Sequence, residues 1–520
     1  MPSPRPAAIE PRERCIHAPI IGEMARKIAP ALWLLLPLAY FLFFFDMAKV
    51  GLIGPDEPRY ASIARSMAAS GDWVTPRLNG QPWFEKPALL YWMQGAAFRA
   101  GLGPEVAPRL PVALVACAFL ALYWWILNRE FGCAPAIFAT AILCTSAAWI
   151  VSAQVGVPDL PLTAAYSAAM LLALPWATRR DPQFLPAAAV CLALAVLAKG
   201  LVPLVLVTPL LYPWGRPLRT AWRDNLVWLR PRVVLPFLLV VLPWYVLCTL
   251  RNGAPFLKDF FWKHHVERFV SAAALQHGQP FWFYLPIVLA GMLPWTPLAC
   301  LALRRAFYRD PRRLFLLCWF LLVLVFFSAS VNKLPAYILP LLPAAAALLG
   351  LALAETRHAA PWLAGCTVLL VAFAIAAPML PSAVPSGISH ATLPPFRWFW
   401  LLPLLLAAGV WMLERHRRRT IAVLAIAAGA AAGTVYLKQV AAPDLDRSAS
   451  ARPLWLEIAP RASDICIDWL PRGTQCSLDY YSLVPLPDCA HHPKPIELLQ
   501  MQGQPPRLMP PAHRPAPAGQ

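Results

Sequence analysis

The chain has 520 residues, 59% hydrophobic and 14% charged, with a formal net charge of +19 and a mean hydropathy of +0.55. A soluble globular chain is roughly 45–50% apolar and about 25% charged, so this composition excludes a soluble enzyme and identifies an integral membrane protein. The basic charge does not point to nucleic acid either, because Lys and Arg sit in short clusters between apolar segments, as topology demands, rather than on one binding face.

The first 29 residues are polar and read as a cytoplasmic N-terminus. The apolar run that follows lacks a convincing cleavage site and reads as a retained first span, not a removed signal. A span needs roughly 20 apolar residues. Segments near 30–47, 107–127, 134–153, 160–177, 184–198, 201–215, 233–250, 281–303, 313–331, 335–354, 361–379, 396–413 and 420–437 meet or approach that length, which predicts thirteen spans within 30–437. The pair 184–198 and 201–215 is the shortest.

Charge sets the expected orientation. With Arg12, Arg14, Arg26 and Lys27 in the cytoplasm, the loops holding Arg129, Arg179, Arg216, Arg304, Arg357 and Arg415 all fall on that side, as short basic loops should. The C-terminus then lies outside. Three outer segments are long: loop one (48–106), a histidine-bearing loop (251–280), and a small soluble region (438–520) ending in PPRLMPPAHRPAPAGQ, whose composition predicts disorder. Internal repeats are not evident. Most cysteines lie in apolar segments, where they act as small buried hydrophobes. Cys466, Cys476 and Cys489 gather in the final region, where one disulfide can form if it faces an oxidising compartment.

Loop one is unusually basic for an outer segment, with Arg59, Arg65, Arg77, Lys86 and Arg99. In GPDEPRYASIARSM, Asp56 and the following prolines mark a helix start with Asp56 as its cap. Tyr60, Ile63, Ala64 and Met67 then form an apolar stripe, expected on a helix lying at the bilayer surface. Gly71-Asp72-Trp73 ends that helix, Asn79-Gly80 closes a tight turn, and FEKPALLYWMQGAAF opens a second amphipathic helix beside Glu85 and Lys86. Asp56 is open to two readings at this point: a helix cap, or a carboxylate converging with Arg59, Tyr60 and Lys86 on a lipid phosphate, since arginine forks bind phosphate oxygens bidentately.

DEPRYASIARSMAASGDWVTPRLNGQPWFEKPALLYW resembles the first outer loop of bacterial integral-membrane glycosyltransferases of the aminoarabinose transferase type, which move a sugar from undecaprenyl phosphate to lipid A. More distantly it is similar to the protein O-mannosyltransferases. The resemblance covers most of residues 30–440, with VNKLPAYILPLLP the next most specific stretch and the C-terminal region the weakest. It implies a GT-C fold: a polytopic all-α membrane domain of about thirteen transmembrane helices, juxtamembrane helices in loop one, and a small periplasmic α/β region at the C-terminus. It implies Asp56 as a catalytic carboxylate and Asp159 as a second one, where the residues alone read equally well as a helix cap. Arg59, Tyr60, Lys86, Arg268, Lys333 and Tyr337 are implied as contacts to the donor phosphate, although a lysine at the position of Lys333 also reads as an interfacial snorkelling residue. A zinc site of Glu85 and His265, with His277 as a further ligand, is implied too; the His/Glu spacing on its own matches no compact zinc motif.

The reading that follows is an inner-membrane glycosyltransferase with an undecaprenyl-phosphate-linked sugar donor, a lipid acceptor expected to be lipid A, and no nucleotide cofactor. Another glycolipid, a polysaccharide or a protein stands as the alternative acceptor. A transporter or flippase is the alternative class. It is disfavoured because transport places ionisable groups and repeats at mid-membrane, whereas charge here gathers at the outer boundary.

Overall fold

The structure, a computed structural model, describes residues 37–212, 223–260, 279–387, 395–501 and 504–510. Of the first expected span, residues 37–47 are described, and within them Tyr40–Phe44 form a short π-helical turn. Loop one follows as helix α1 (Asp56–Ser70), a hairpin of β1 (Arg77–Leu78) and β2 (Gln81–Pro82), and helix α2 (Leu89–Arg99). The hairpin pairs Arg77 with Pro82 and Leu78 with Gln81 around Asn79 and Gly80, both at positive φ, the conformation that an Asn-Gly turn favours.

The apolar helices come next in chain order: α3 (Val106–Phe131), α4 (Cys133–Cys144), α5 (Ala147–Ala153), α6 (Asp159–Arg179), α7 (Leu185–Lys199), α8 (Val202–Leu211), α9 (Pro231–Leu257), α10 (Tyr284–Gly291), α11 (Pro311–Ala329), α12 (Leu342–Glu355), α13 (Ala360–Val368), α14 (Val371–Ser386), α15 (Leu402–Arg415) and α16 (Arg419–Ala449). Among the described residues, eight helices are long and apolar enough to cross a membrane, or ten if the two sharply bent pairs each count as one span. Those pairs are α4 with α5, bent by 62°, and Phe281–Gly291 with Thr296–Leu303, bent by 111°. The shorter α7 and α8 occupy the places of the two shortest expected spans. The chain is a multi-pass membrane protein.

Small side chains let these helices approach closely, as in other membrane bundles. A Cβ on Gly350 of α12 would lie 2.5 Å from the Ala139 backbone nitrogen of α4, so only glycine allows that crossing.

Ion pairs sort the helix ends into two groups. Arg179, closing α6, donates to Glu130 near the end of α3 at 2.5 and 2.8 Å. Arg312, opening α11, bonds the Glu130 carbonyl, and Arg313 pairs with Glu355 at the end of α12. Arg419, opening α16, reaches the Leu353 carbonyl at 2.7 Å. These ends share one side of the bundle. The opposite ends of the same helices therefore gather Arg109, Asp159 and Lys333, together with the region that follows α16.

That region is α/β: α17 (Arg452–Ile458), β3 (Ile465–Trp469), α18 (Arg472–Ser482), β4 (Ile496–Leu499) and β5 (Arg507–Met509). Strand β4 is central, parallel to β3 and antiparallel to β5. Ile458, Ile465, Leu470, Leu478 and Leu498 form its core, and Cys466 is joined to Cys489. Cys476 remains a free thiol.

Three expectations change. Helix α16 continues to Ala449 rather than stopping at 437, carrying the chain directly into the α/β region. Residues 507–509 lie within the stretch whose composition predicts disorder, yet they form an edge strand, a place where flanking prolines are tolerated. The stripe Tyr60, Ile63, Ala64 and Met67 is buried against α2 and the main core rather than resting on lipid, because α2 supplies Leu90 and Tyr91 to cover it.

Candidate active site

Helix α1 begins at Asp56, and Pro55 in the capping position makes no side-chain cap. The cap reading of Asp56 fails for a local reason: its carboxylate turns along the helix to Arg59 one turn on, accepting from Nη2 at 2.6 Å. Arg59 is 5% exposed, whereas Asp56 is 48% exposed, so a buried cation holds a carboxylate that still faces outward. The same Nη2 lies 3.1 Å from a Glu85 oxygen, and Lys86 donates to the other Glu85 oxygen at 3.2 Å. The guanidinium also stands over the rings of Tyr60 and Trp83, at 5.4 and 5.5 Å from their centroids.

Burial alone would lower the Arg59 pKa, but Glu85, then Tyr60 and Asp56, outweigh it and hold the group above its ordinary value and fully charged. Burial, reinforced by the negative charges of Glu85 and Asp56, pushes the Tyr60 hydroxyl well above the usual range, so it stays a hydrogen-bond donor at neutral pH. Among the described residues, Arg59 Nε, Trp83 Nε1 and Tyr91 Oη are all buried without a hydrogen-bond partner. Leaving such a group unpaired costs about 1–3 kcal/mol. Unpaired polar hydrogens around a buried cation suit an anionic ligand carrying several acceptor oxygens, which a phosphate is.

A second acidic group lies alongside. Asp159 is the first residue of α6 and likewise makes no cap; it accepts instead from Lys199 Nζ, at the end of α7, at 2.5 Å. Lys199 Nζ stands 4.5 Å from the Tyr337 ring centroid and within electrostatic reach of Asp56. The structure thus brings together Asp56, Arg59, Tyr60, Glu85 and Lys86 in one group and Asp159, Lys199 and Tyr337 in another. Lys333 does not snorkel: it is buried, and its ammonium donates to the carbonyls of Gln279 at 3.0 Å and Ser330 at 2.5 Å. His265, Arg268 and His277 lie outside the described residues.

Of the implied zinc ligands only Glu85 is described. Its two carboxylate oxygens face Arg59 and Lys86. Among the described residues no group of three or more His, Cys, Asp or Glu is arranged to hold one.

Reading the sequence missed three members of this end of the bundle. Lys199 closes an apolar helix, and a lysine in that position is a sign of a partner nearby. Arg109, in the first turn of α3, and Glu57, beside Asp56, form a buried bidentate pair at 2.7 and 2.8 Å that only the fold reveals.

The class is set first by the fold. A helical multi-pass domain with both acidic groups at one end and a small α/β region behind them is the GT-C arrangement, and the crystal structure of ArnT from Cupriavidus metallidurans bound to undecaprenyl phosphate matches it with a TM-score of 0.69 and 27% identity, over 88% of this chain and 85% of that one. The same protein in its apo state matches with a TM-score of 0.66 over 93% and 87%. Sequence comparison then gives the particular relatives. An undecaprenyl phosphate-α-4-amino-4-deoxy-L-arabinose arabinosyl transferase of Pseudomonas paraeruginosa is 35% identical over 345 residues, 64% of this chain and 61% of that relative. One from Edwardsiella ictaluri is 33% identical over 324 residues, 61% of this chain and 58% of that relative. The matched stretch therefore spans about three fifths of these relatives. Residues 34–252 match the dolichyl-phosphate-mannose-protein mannosyltransferase family model. The resemblance carried by loop one is borne out in sequence and in fold.

Proposed function

We propose that this chain is a glycosyltransferase that moves a sugar, 4-amino-4-deoxy-L-arabinose by analogy with its relatives, from undecaprenyl phosphate to lipid A at the periplasmic face of a bacterial inner membrane. The observation that carries the reading is the pairing of a buried, permanently charged Arg59 with a half-exposed Asp56, ringed by buried polar atoms that lack partners among the described residues. Charge arranged in that way suits a lipid phosphate whose negative charge grows as it leaves.

In the proposed step an acceptor oxygen attacks the anomeric carbon while the bond from that carbon to the donor's phosphate oxygen breaks. The electron pair departs with undecaprenyl phosphate, whose added charge falls to Arg59, Lys86 and the still-protonated Tyr60. Where the acceptor oxygen carries a proton, Asp56 receives it, since one carboxylate oxygen is held by Arg59 and the group is half exposed. Asp159 fixes Lys199 beside Tyr337, so that a second cation faces the same substrate. A single displacement inverts the anomeric configuration. Arg268 and Lys333 are proposed as outer contacts to the donor. A metal on Glu85, His265 and His277 has no part in this step.

The test is mass spectrometry of lipid A from a host lacking the gene, complemented with the wild-type chain or with Asp56→Asn. A glycosyl mass increment that is lost in the deletion and returns only with the wild type supports the proposal, given equal protein in the membrane. Lipid A of identical mass in all strains overturns lipid A as the acceptor.

A further inference from the structure

Asp56 and Asp159 belong to segments about a hundred residues apart in sequence, and their separation is governed by side chains that the proposed reaction does not use. Glu57, 1% exposed, accepts from Arg109 Nε and Nη2 at 2.7 and 2.8 Å, from the Ile53 N–H at 3.2 Å and from the Gly156 N–H at 2.9 Å. Arg109 spends its remaining N–H groups on the carbonyls of Met47 (2.9 Å), Val50 (2.6 Å) and Gly51 (2.9 Å). All five donors of the guanidinium are thereby used. Neither side chain of this pair has capacity left for a substrate.

The other side of the Gly156 peptide is held as well. Gln94 of α2 donates through Nε2 to the Gly156 carbonyl and to the Pro108 carbonyl, both at 3.0 Å. The glycine is enclosed so tightly that a Cβ there would stand 2.9 Å from Gln94 Nε2 and from the Pro108 oxygen. Gly156 precedes Asp159 by three residues. Its N–H is thus fixed to α1 and its carbonyl to α2, while Arg109 ties Glu57 of α1 to the chain entering loop one.

We infer that Glu57, Arg109 and Gln94 are positioning residues that clamp the Gly156 peptide and so set the separation between Asp56 and Asp159. Their catalytic consequence rests on the glycosyl-transfer reading; the clamp itself does not. Misplacing a reacting group by about 1 Å can cost roughly a hundredfold in rate, so a shift of the Gly156 loop is expected to register in turnover rather than in binding.

The test uses the full-length chain with Gly156→Ala, Glu57→Gln and the near-isosteric Gln94→Leu, the last chosen because it keeps the volume of a buried side chain. Two readouts are taken on each: the Asp56-to-Asp159 separation from cryo-electron microscopy with a bound antibody fragment, and kcat and KM for transfer from the undecaprenyl-phosphate-linked sugar, with undecaprenyl phosphate as the binding probe. The expected result is a changed separation in Gly156→Ala and Gln94→Leu, a kcat lowered by about 10- to 100-fold per folded molecule, and undecaprenyl phosphate affinity within about twofold of wild type. An unchanged separation overturns the clamp. A changed separation with unchanged kcat, or a loss explained wholly by less folded protein, overturns its role in positioning. Should the wild type transfer no sugar, the functional reading falls, and the separation alone still decides the clamp.

Discussion

The two ends of the helical bundle use the same side chains to different effect. At one end Glu130 is saturated: Arg179 grips both of its oxygens and Arg312 takes its carbonyl, while Arg419 is engaged by Glu414 and the Leu353 carbonyl. At the other end Asp56 is half exposed and Arg59 Nε, Trp83 Nε1 and Tyr91 Oη are buried without partners among the described residues. Saturated charge is a staple between helices. Buried polar atoms that lack partners among the described residues, beside a half-exposed carboxylate and a buried cation, leave hydrogen-bonding capacity for the ligand proposed above.

The contrast breaks most visibly at Asp56. Asp56→Asn keeps the shape of the side chain and removes its proton-accepting charge, so transfer is expected to fall by about 10²- to 10⁴-fold with the thermal midpoint little changed, as measured by turnover and by thermal unfolding in detergent. Arg59→Lys keeps the charge and loses the fork, and the expected outcome is donor binding weakened by about 10- to 100-fold in a titration with undecaprenyl phosphate. Glu130→Ala should do the reverse of Asp56→Asn. Removing that buried carboxylate is expected to cost about 1–3 kcal/mol of stability, softened because Arg179 is half exposed, with kcat per folded molecule unchanged.

The smallest effect is expected in the α/β region. Asp479 of α18 has a buried oxygen without a partner among the described residues, and burial raises its pKa from 3.8 to about 6. The folded state therefore binds more protons than the unfolded state between about pH 4 and pH 6, and stability falls as pH rises through that window. Asp479→Asn should flatten that slope and raise the thermal midpoint at neutral pH, which a series of melts from pH 4 to 7 would reveal.

Much of the membrane domain was legible in the sequence because the bilayer imposes length and apolarity on each span. Twelve of the thirteen expected segments coincide with an observed helix or bent pair, the first being described only from residue 37. Bends are less legible, since the 111° break before Thr296 falls inside one continuous apolar run. In loop one the Asn79-Gly80 turn and both helices were readable from local chemistry. Burial of the Tyr60 stripe was not, because a surface helix and a covered one share the same period and only α2 distinguishes them. Asp56 and Arg59 could be picked out as neighbours on a helix face. Lys199 meeting Asp159, and Arg109 meeting Glu57, depend on contacts 40 and 52 residues apart in sequence, which no local pattern encodes.

The charges gathered around Asp56 and Asp159 are proposed to drive transfer of a sugar from a lipid phosphate. The most direct test is to reconstitute the purified full-length chain with undecaprenyl-phosphate-linked 4-amino-4-deoxy-L-arabinose and lipid A, and to follow both lipids by mass spectrometry. The account predicts that lipid A gains one sugar for each undecaprenyl phosphate released, and that Asp56→Asn abolishes both signals together. A wild-type chain that releases no undecaprenyl phosphate, or an Asp56→Asn chain that transfers as fast as wild type, would contradict it.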